Sequence, residues 1–367
     1  MSEELLYTIA ITLSPNVGAI NGKRLISHCG NAYNVFKEKK SNLMKIQGVS
    51  TGIIDGLCNK DALARAEKEI LFAEKNSIRI LSFFDNNYPV RLKRCADSPV
   101  VLYVRGNALP NGERMLAIVG TRSASDYGKR ICEKIISELS KYDIGIISGL
   151  AYGIDTEAHR NSLKYNLKTF AVLGHGLHTV YPSRNFSLAK SIEPTGSLIS
   201  EFISGTNPDR ENFPMRNRII AGMSDAVLVV EAADRGGALI TAAIASSYNR
   251  DVFAVPGRID DKYSAGCNYL IKSQQASIVL SGTDIIENMN WDDKIKKGAL
   301  QQSLFYELNE TQQKIIDFIR ETSGSDIDTI SDKLNIPISK LSCELLDLEL
   351  KGVLRCLPGK VYKMLYV

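Results

Sequence analysis

Short apolar runs alternate with amphipathic helical patterns through the middle of the chain. The apolar runs predict strands at 115–119, 144–147, 169–173, 198–199, 226–230 and 252–255. Apolar residues at helical spacing predict intervening helices at 127–141, 155–166, 186–192, 214–222 and 238–249. Continuous apolar strands that alternate with helices are typical of a parallel sheet covered on both faces. We therefore predict an α/β fold over residues 80–290, with a Rossmann-like, doubly wound and mostly parallel sheet.

The segment before this region, residues 1–75, has apolar positions at helical spacing and predicts an all-α N-terminal domain. Within it, the turn Ile46-Gln47-Gly48-Val49 is similar to that of a helix-hairpin-helix (SAM-like) domain, in which glycine amides contact DNA backbone. A small packing bundle with a glycine turn explains the same pattern equally well. Residues 80–112 look irregular apart from a strand at 100–104, and we interpret them as the lead-in to the sheet.

The C-terminal part of the chain predicts a third domain. Residues 291–304 are polar and mixed, which indicates a linker. Residues 305–367 contain three helical patterns and then a hairpin that turns at Pro358-Gly359. Three helices followed by a two-stranded wing is the order of a winged helix, so we predict a winged-helix-like C-terminal domain.

The last of these helical patterns, at 338–351, leaves two functions open. In a winged helix it could contact duplex DNA. However, it carries three acidic residues, among them Glu344 and Asp347, against Lys340 and Lys351. A helix that reads the major groove should carry a basic stripe, so the pattern favours a protein-contact or dimer module.

Composition narrows the class of protein without naming a function. The 367 residues are 44% hydrophobic and 23% charged, with a net charge of +4, which is ordinary for a globular protein. The seven cysteines form no CxxC pair and the four histidines no HExxH motif. We therefore expect reduced thiols, no metal site and a cytoplasmic location. The N-terminus has no signal-peptide pattern and no apolar stretch is long enough to span a membrane.

The candidate chemistry lies in the loops that follow the predicted strands, because ligands of open parallel sheets bind at the carboxyl ends of the strands. These loops are rich in glycine, which lets a ligand approach the backbone, and the helices after them begin with N–H groups suited to phosphate. They also collect arginines, namely Arg122, Arg184, Arg216, Arg218, Arg235 and Arg258. Aromatic residues in the same loops, Tyr152, Tyr181 and Phe213, could stack on unpaired bases or could simply pack into the core.

The loop after the first predicted strand of the sheet argues against a dinucleotide cofactor. It reads Gly120-Thr121-Arg122-Ser123 and lacks the GxGxxG fingerprint. Arg122 stands where that fingerprint has its second glycine. A chain of phosphodiesters can use an arginine there, whereas a pyrophosphate cofactor needs close approach to the backbone. The sequence therefore predicts a polyanion ligand and no cofactor.

Five segments of the chain together resemble the DNA-processing protein A family (DprA, also called Smf). They begin at Ala117, Ser148, Tyr181, Phe213 and Val252 and read AIVGTR, SGLAYGID, YP, FPMRNRIIAG and VFAVPG. The similarity extends over about residues 80 to 290, and the helical head and winged-helix-like tail are similar to members with three domains. The resemblance implies a protein that binds and protects single-stranded DNA, forms a homodimer and helps to load the RecA recombinase during natural transformation. It implies no catalytic activity.

The resemblance and the loop pattern together define a set of candidate DNA-binding residues. They are Arg122, Ser123, Ser148, Gly149, Gly174, Gly176, Arg184, Asn185, Phe213, Arg216, Asn217, Arg218, Gly236 and Gly237. Many members of the family have lysine directly after the Tyr-Pro pair, where this chain has Ser183, so we assign that positive charge to Arg184. By analogy, the dimer face would include Tyr269, Leu270 and Ile271.

Two other classes of function fit parts of the chain. Rossmann-like phosphoribohydrolases cleave nucleotides and carry a Pro-Gly-Gly-x-Gly-Thr motif with a nearby catalytic glutamate. The corresponding place here reads Pro256-Gly257-Arg258-Ile259, without the later glycines, which counts against hydrolysis. A scaffold that only binds protein partners through its terminal domains would leave the arginine-rich loops unexplained.

Overall fold

A computed structural model describes residues 3–292, 308–322, 324–357 and 359–364. The chain divides into two compact units, Met1–Ile285 and Ile286–Val367. Most of the predicted linker at 291–304 lies outside the described residues.

The N-terminal segment is helical, as its apolar spacing predicts. Its helices are α1 (Glu3–Leu13), α2 (Ala19–Cys29), α3 (Ala32–Lys37), α4 (Lys40–Leu43), α5 (Thr51–Leu57) and α6 (Lys60–Lys75). Buried residues of these helices, such as Ile9 and Leu25, belong to the same hydrophobic cluster as Tyr103, Ala171 and Leu198 of the sheet. The helical head is therefore packed onto the sheet and shares its core.

The sheet has nine strands. They are β1 (Ile78–Ser82), β2 (Val101–Gly106), β3 (Arg114–Val119), β4 (Ile144–Ser148), β5 (Thr169–Val172), β6 (Ser197–Ser200), β7 (Ala226–Val229), β8 (Asp251–Ala254) and β9 (Ser277–Ile278). Their order is β1-β2-β6-β5-β4-β3-β7-β8-β9, and the seven strands from β6 to β9 run parallel. The predicted doubly wound, mostly parallel sheet is thus confirmed. The strand predicted at 100–104 is β2, and β1, which the sequence pattern did not predict, pairs with it, so that two antiparallel strands extend one edge of the sheet.

Helices cover the sheet on both faces. They are α7 (Val90–Lys93), α8 (Asp126–Leu139), α9 (Ile154–Lys164), α10 (Phe186–Ile192), α11 (Asn212–Met223), α12 (Gly237–Ser247), α13 (Ala265–Lys272) and α14 (Gly282–Asn288). Alternate residues of one strand enter different clusters: Tyr103 packs into one, and Leu102 and Val104 into the other. Strands that are buried on both faces cannot alternate apolar with polar residues, which is why they appear in the sequence as continuous apolar runs.

The topology reverses at β3. From β3 the chain first winds outward through β4, β5 and β6, and it then returns to the other side of β3 for β7, β8 and β9. The connections that leave β3 and β7 therefore run to opposite faces and open a crevice at their carboxyl ends, the usual ligand position in such sheets.

The second unit contains the winged helix. Its elements are α15 (Glu310–Glu321), β10 (Ser325–Asp326), α16 (Ile327–Leu334), α17 (Ile338–Leu350), β11 (Leu354–Leu357) and β12 (Val361–Met364). The three strands form an antiparallel sheet in the order β10-β12-β11, so the wing has one strand more than the sequence pattern indicates. On α17, Ile338, Leu346 and Leu350 are exposed, so part of the outer face of this helix is apolar rather than basic.

Candidate nucleic-acid interface

A cleft of about 970 Å³ lies at the carboxyl ends of β3 and β7, where the topology reverses. Loops from six strands contribute to its lining. Its residues include Val119 at the end of β3 and Gly120 to Arg122 after it, Ala151 and Asp155 after β4, Tyr181 after β5, Pro208, Arg210 and Phe213 after β6, Ala232 to Ala238, Ile240 and Thr241 after β7, and Lys262 and Tyr263 after β8. The predicted position of the ligand site therefore coincides with the large cleft.

The cleft is lined by exposed cations. Arg122, Arg210, Arg235 and Lys262 all line it with exposed side chains. The one exposed acidic residue among the lining residues is Asp234. The local field is thus positive, although the net charge of the whole chain is only +4.

The sequence pattern identified two of these four cations. Arg122 and Arg235 lie in the first few residues after predicted strands, but Arg210 and Lys262 lie in longer connections whose paths cannot be read from periodicity. The only sequence signal for Arg210 is its position shortly before Phe213.

Phe213 presents an aromatic ring beside these cations. The ring is half-buried near the start of α11, and its centroid lies 5.4 Å from Arg122 Cζ and 6.0 Å from the ring of Tyr181. A Cβ atom on residue 174 would lie 3.0 Å from the ring, so Gly174 leaves the space that the ring occupies. An accessible aromatic ring next to a guanidinium can stack on a base while the arginine contacts a phosphate.

Arg122 is held in place by backbone contacts of its loop. The Thr121 N–H donates to the carbonyl of Glu231 at 2.8 Å, and the Thr121 carbonyl accepts from the Ile154 N–H at 3.1 Å. A Cβ atom on Gly153 would lie 2.2 Å from the Thr121 carbonyl oxygen. The backbone of Gly153 also has a φ of +76°, which is in the region that favours glycine. The loop is therefore fixed between the segments that follow β4 and β7.

Glu231, in the loop after β7, extends this framework. Its buried carboxylate accepts hydrogen bonds from the Ser125 backbone N–H, at 2.9 Å, and from the Ser125 hydroxyl. Ser125 is the N-cap of α8. The carboxylate thus anchors the start of the helix that follows Arg122.

Arg216 lines the cleft but is committed to the protein. Its side chain is only 4% exposed, and Nη1 donates to the carbonyls of Gly149, at 2.6 Å, and Val172. Burial lowers the pKa of Arg216 to about 10, while the nearby Asp155 carboxylate acts in the opposite direction. The expectation that Arg216 is a simple phosphate contact is therefore corrected: its guanidinium joins the carboxyl ends of β4 and β5.

Asp155 completes this buried arrangement. Its Oδ2 accepts the N–H groups of Gly149, at 3.2 Å, and Ala151, at 3.4 Å. Burial raises the pKa of Asp155, and the positive charge of Arg216 opposes that shift. The two charges stabilise each other in the floor of the cleft and hold the Gly149 turn closed.

Three of the predicted DNA-binding side chains are engaged elsewhere. Ser148 is buried and donates its hydroxyl hydrogen to the Ile118 carbonyl at 2.7 Å. Asn185 is buried and its amide donates to the Leu150 carbonyl at 2.9 Å. Arg218 forms an ion pair with Glu201. None of the three lines the cleft. These predictions are corrected, because each of the three side chains hydrogen-bonds to other residues inside the fold.

The predicted glycines divide into two groups. Gly149, Gly174 and Gly176 make room for protein atoms: a Cβ atom on Gly176, for example, would lie 2.1 Å from the Ile203 carbonyl oxygen. They support the cleft and do not line it. Gly236 and Gly237 do line it, at the start of α12. The N-terminus of that helix is therefore open to an anion at the cleft.

The remaining candidates fall around the cleft. Asn217 lines it and donates to the Gly237 carbonyl at 3.3 Å, which ties α11 to the start of α12. Ser123 and Arg184 are exposed but lie outside the lining.

The proposed dimer face has one clear error. Leu270 is buried in the core of the α/β unit, so it is not available to a second copy. Its neighbour Tyr269 is 59% exposed, and Ile271 is partly buried against the same core. Only Tyr269 therefore has the accessibility that an interface requires.

The described residues contain neither a metal-binding cluster nor a membrane-spanning helix. In the ranges given above, no group of three His, Cys, Asp or Glu side chains is arranged to hold a metal ion. No helix in the same part of the chain combines the length and apolar character of a membrane span.

Comparison with known proteins agrees with the geometry. The sequence profile of DNA recombination-mediator protein A matches residues 79–290, more than half of the chain, and that of the DprA winged helix domain matches residues 306–360. The chain belongs to the DprA family. The resemblance noted in the sequence is thereby confirmed.

Relatives of the DprA family match over long stretches. Protein Smf from Synechocystis sp. is 32% identical over 99% of both chains. DNA processing protein DprA from Streptococcus pneumoniae is 42% identical over 56% of this chain and 72% of its own.

Two solved structures of the DprA family share the fold. The X-ray structure of DprA from Streptococcus pneumoniae covers 77% of this chain and 97% of its own, with a TM-score of 0.67 and 34% identity. DprA from Helicobacter pylori, described for its single-stranded DNA binding mode, covers 59% and 96%, with a TM-score of 0.53 and 28% identity.

Proposed function

We propose that this protein binds single-stranded DNA in the cleft at the carboxyl ends of β3 and β7. The observation that carries the proposal is the pair formed by Arg122 and Phe213, whose guanidinium and ring lie 5.4 Å apart at the cleft surface. A single strand offers phosphates and unstacked bases together, and this pair can contact both. Arg210, Arg235 and Lys262 line the same cleft with exposed side chains and extend the phosphate-binding surface.

Two further features support this ligand. The open N-terminus of α12 adds a partial positive charge that suits a phosphate. The relative from Helicobacter pylori is described as binding single-stranded DNA, and it shares this fold at 28% identity. A duplex would keep its bases stacked and could use only the phosphate contacts, so we expect the single strand to bind more tightly.

The finer parts of the function are also proposals. We infer that the protein protects single-stranded DNA and helps to load RecA, as the family resemblance implies, and that it acts in the cytoplasm by binding rather than by catalysis. We also infer a homodimer, with Tyr269 at its face because this side chain is exposed. RecA loading is tested by following filament formation on strands already coated with a single-strand-binding protein. Addition of this protein should shorten the lag, and an unchanged lag would contradict the loading role.

The central experiment is a fluorescence-anisotropy titration of the full chain with labelled oligothymidylate and with a duplex of equal length. We expect the single strand to bind more tightly and its affinity to fall with salt, as phosphate contacts require. Equal affinity for the two forms would overturn the proposal. Incubation with nucleoside monophosphates tests the phosphoribohydrolase alternative, for which released base would be the positive result.

A further inference from the structure

The loop between β6 and α11, residues 201–211, connects the helical head to the cleft. It carries Pro208 and Arg210 to the cleft and leads directly to Phe213. Its first half, however, contacts α6 of the head. The contact is made by two α6 side chains, Arg65 and Glu69, which both bind Ser204.

Glu69 makes the more unusual of these contacts. It is a carboxylate with only 2% exposure, and one oxygen accepts the Ser204 backbone N–H at 2.8 Å while the other accepts the Ser204 hydroxyl at 2.5 Å. Arg65 Nη2 donates to the Ser204 carbonyl at 2.5 Å and pairs with Glu69 at 2.9 Å. The two side chains thus engage the N–H, the carbonyl and the hydroxyl of a single loop residue.

The opposite side of the loop is also held. The Gly176 N–H donates to the Thr206 carbonyl at 3.1 Å, and the Gly205 N–H donates to His178 Nδ1 at 3.0 Å. The loop is therefore clamped between α6 and the segment that follows β5. Beyond Thr206 it runs on to Arg210, whose side chain is exposed at the cleft.

A buried carboxylate is unfavourable unless hydrogen bonds and an opposite charge compensate its desolvation. Here the compensation comes from the loop and from Arg65, so the arrangement is favourable only when the loop is in this conformation. A binding loop that is ordered before its ligand arrives loses less conformational entropy on binding.

We propose that Glu69, together with Arg65, is a positioning residue for the DNA-binding cleft: it fixes the 201–211 loop and so places Arg210 against the bound strand. The inference rests on the proposed function of the cleft. It assigns the helical head a role in single-strand affinity without any contact between the head and DNA.

The test compares Glu69→Ala with Glu67→Ala in the full chain, because Glu67 is exposed on the same helix. We expect Glu69→Ala to weaken oligothymidylate binding by roughly 3- to 10-fold, as loss of a preordered contact should. Glu67→Ala should bind like the unmodified protein. If Glu69→Ala fails to fold, Ser204→Ala offers a second test, because Ser204 is a partly exposed residue of the loop and the substitution removes only its hydroxyl contacts. It should also weaken oligothymidylate binding, but by less than Glu69→Ala.

A double-mutant cycle separates positioning from general damage. If Glu69 acts through Arg210, then Glu69→Ala should have little further effect in an Arg210→Ala background. Independent, multiplying effects of the two substitutions would overturn the inference, and so would equal binding by the Glu69 and Glu67 variants.

Hydrogen exchange without DNA distinguishes failure of this inference from failure of the proposed function. Glu69→Ala should lose amide protection over 203–206 while Glu67→Ala keeps it. Unchanged protection overturns the positioning role whatever the DNA result. Lost protection in a protein that never binds single strands would overturn the proposed function of the cleft and, with it, the effect on affinity.

Discussion

The guanidinium of Arg216 occupies the space directly above Gly149. A Cβ atom on residue 149 would lie 2.6 Å from Arg216 Cζ, Nη1 and Nη2, well inside van der Waals contact. The same guanidinium donates to the Gly149 carbonyl. The absence of a side chain at 149 is thus a condition for the buried arginine that joins β4 to β5.

Gly149→Ala should therefore destabilise the α/β unit. The added methyl group must displace a buried guanidinium from its hydrogen bonds, which overpacking data place at about 1–3 kcal/mol. Urea unfolding measures the change. Gly237→Ala is the matched control, because its Cβ would meet only Asn217 Nδ2 at an ordinary 3.7 Å. Equal stability of the two variants would contradict the packing argument.

Arg216→Ala should act first on folding rather than on DNA contact. The substitution leaves two carbonyls and the buried Asp155 carboxylate without their cationic partner, a loss of about 3–5 kcal/mol. The folded-state pKa of Asp155 should then rise further above its unfolded value. A carboxyl group whose pKa is higher in the folded state than in the unfolded state lowers the free energy of unfolding as pH increases. The difference in this free energy between Arg216→Ala and the unmodified protein should therefore become smaller towards acidic pH. A pH-independent deficit in urea titrations would argue against this electrostatic origin.

Arg122→Ala should weaken single-strand binding and flatten its salt dependence. Loss of one phosphate contact on a single strand should reduce the slope of log K against log salt by about 0.7. Anisotropy titrations at several salt concentrations give this slope. Arg160→Ala is the control, because Arg160 is exposed on α9 in an ion pair with Glu157 and does not line the cleft. An unchanged slope for Arg122→Ala would exclude a phosphate contact.

Phe213→Ala should reduce the preference for single strands over duplex. Removal of one stacking ring should weaken single-strand binding by about 1–3 kcal/mol, with little effect on a duplex whose bases are stacked already. Competition of labelled oligothymidylate against the two forms measures the preference. Phe213→Tyr keeps an aromatic ring at this position and should retain the preference for single strands. Parallel losses for both forms in Phe213→Ala would indicate that the ring is only a packing element.

His159 should make the protein acid-sensitive. It is fully buried, with Nδ1 at 2.7 Å from Thr169 Oγ1, and burial lowers the pKa of His159 to about 3 from an ordinary 6.5. Between these two values the unfolded chain binds the proton and the folded chain does not. Stability should therefore fall as pH decreases below about 6.5, by at most about 1.4 kcal/mol per pH unit from this group. The free energy of unfolding, measured by urea titrations from pH 7 to 5, should fall less steeply in His159→Gln than in the unmodified protein. An equally steep fall in both proteins would show that His159 is not the cause of the acid sensitivity.

Much of the architecture could be predicted because it is written in local patterns. Continuous apolar runs predict strands buried on both faces, and the parallel strands from β3 to β8 were found where those runs lie. The edge of the sheet that holds the ligand site follows from the same reasoning, and Arg122 lies in the loop that follows β3. The strand β1 was missed because it joins the sheet through antiparallel pairing with β2, which no local pattern indicates.

The sequence by itself determined the α/β class, the winged helix, the edge of the sheet that holds the cleft, and an arginine in place of a dinucleotide fingerprint. Only the tertiary structure decided which arginines face solvent there. Arg122, Arg210 and Arg235 line the cleft with exposed side chains, whereas Arg216 is buried beneath it and Arg218 pairs with Glu201. Arginines at similar positions along the chain therefore have different roles. Their burial and their partners depend on strand order and loop packing, which bring together residues that are far apart in the sequence.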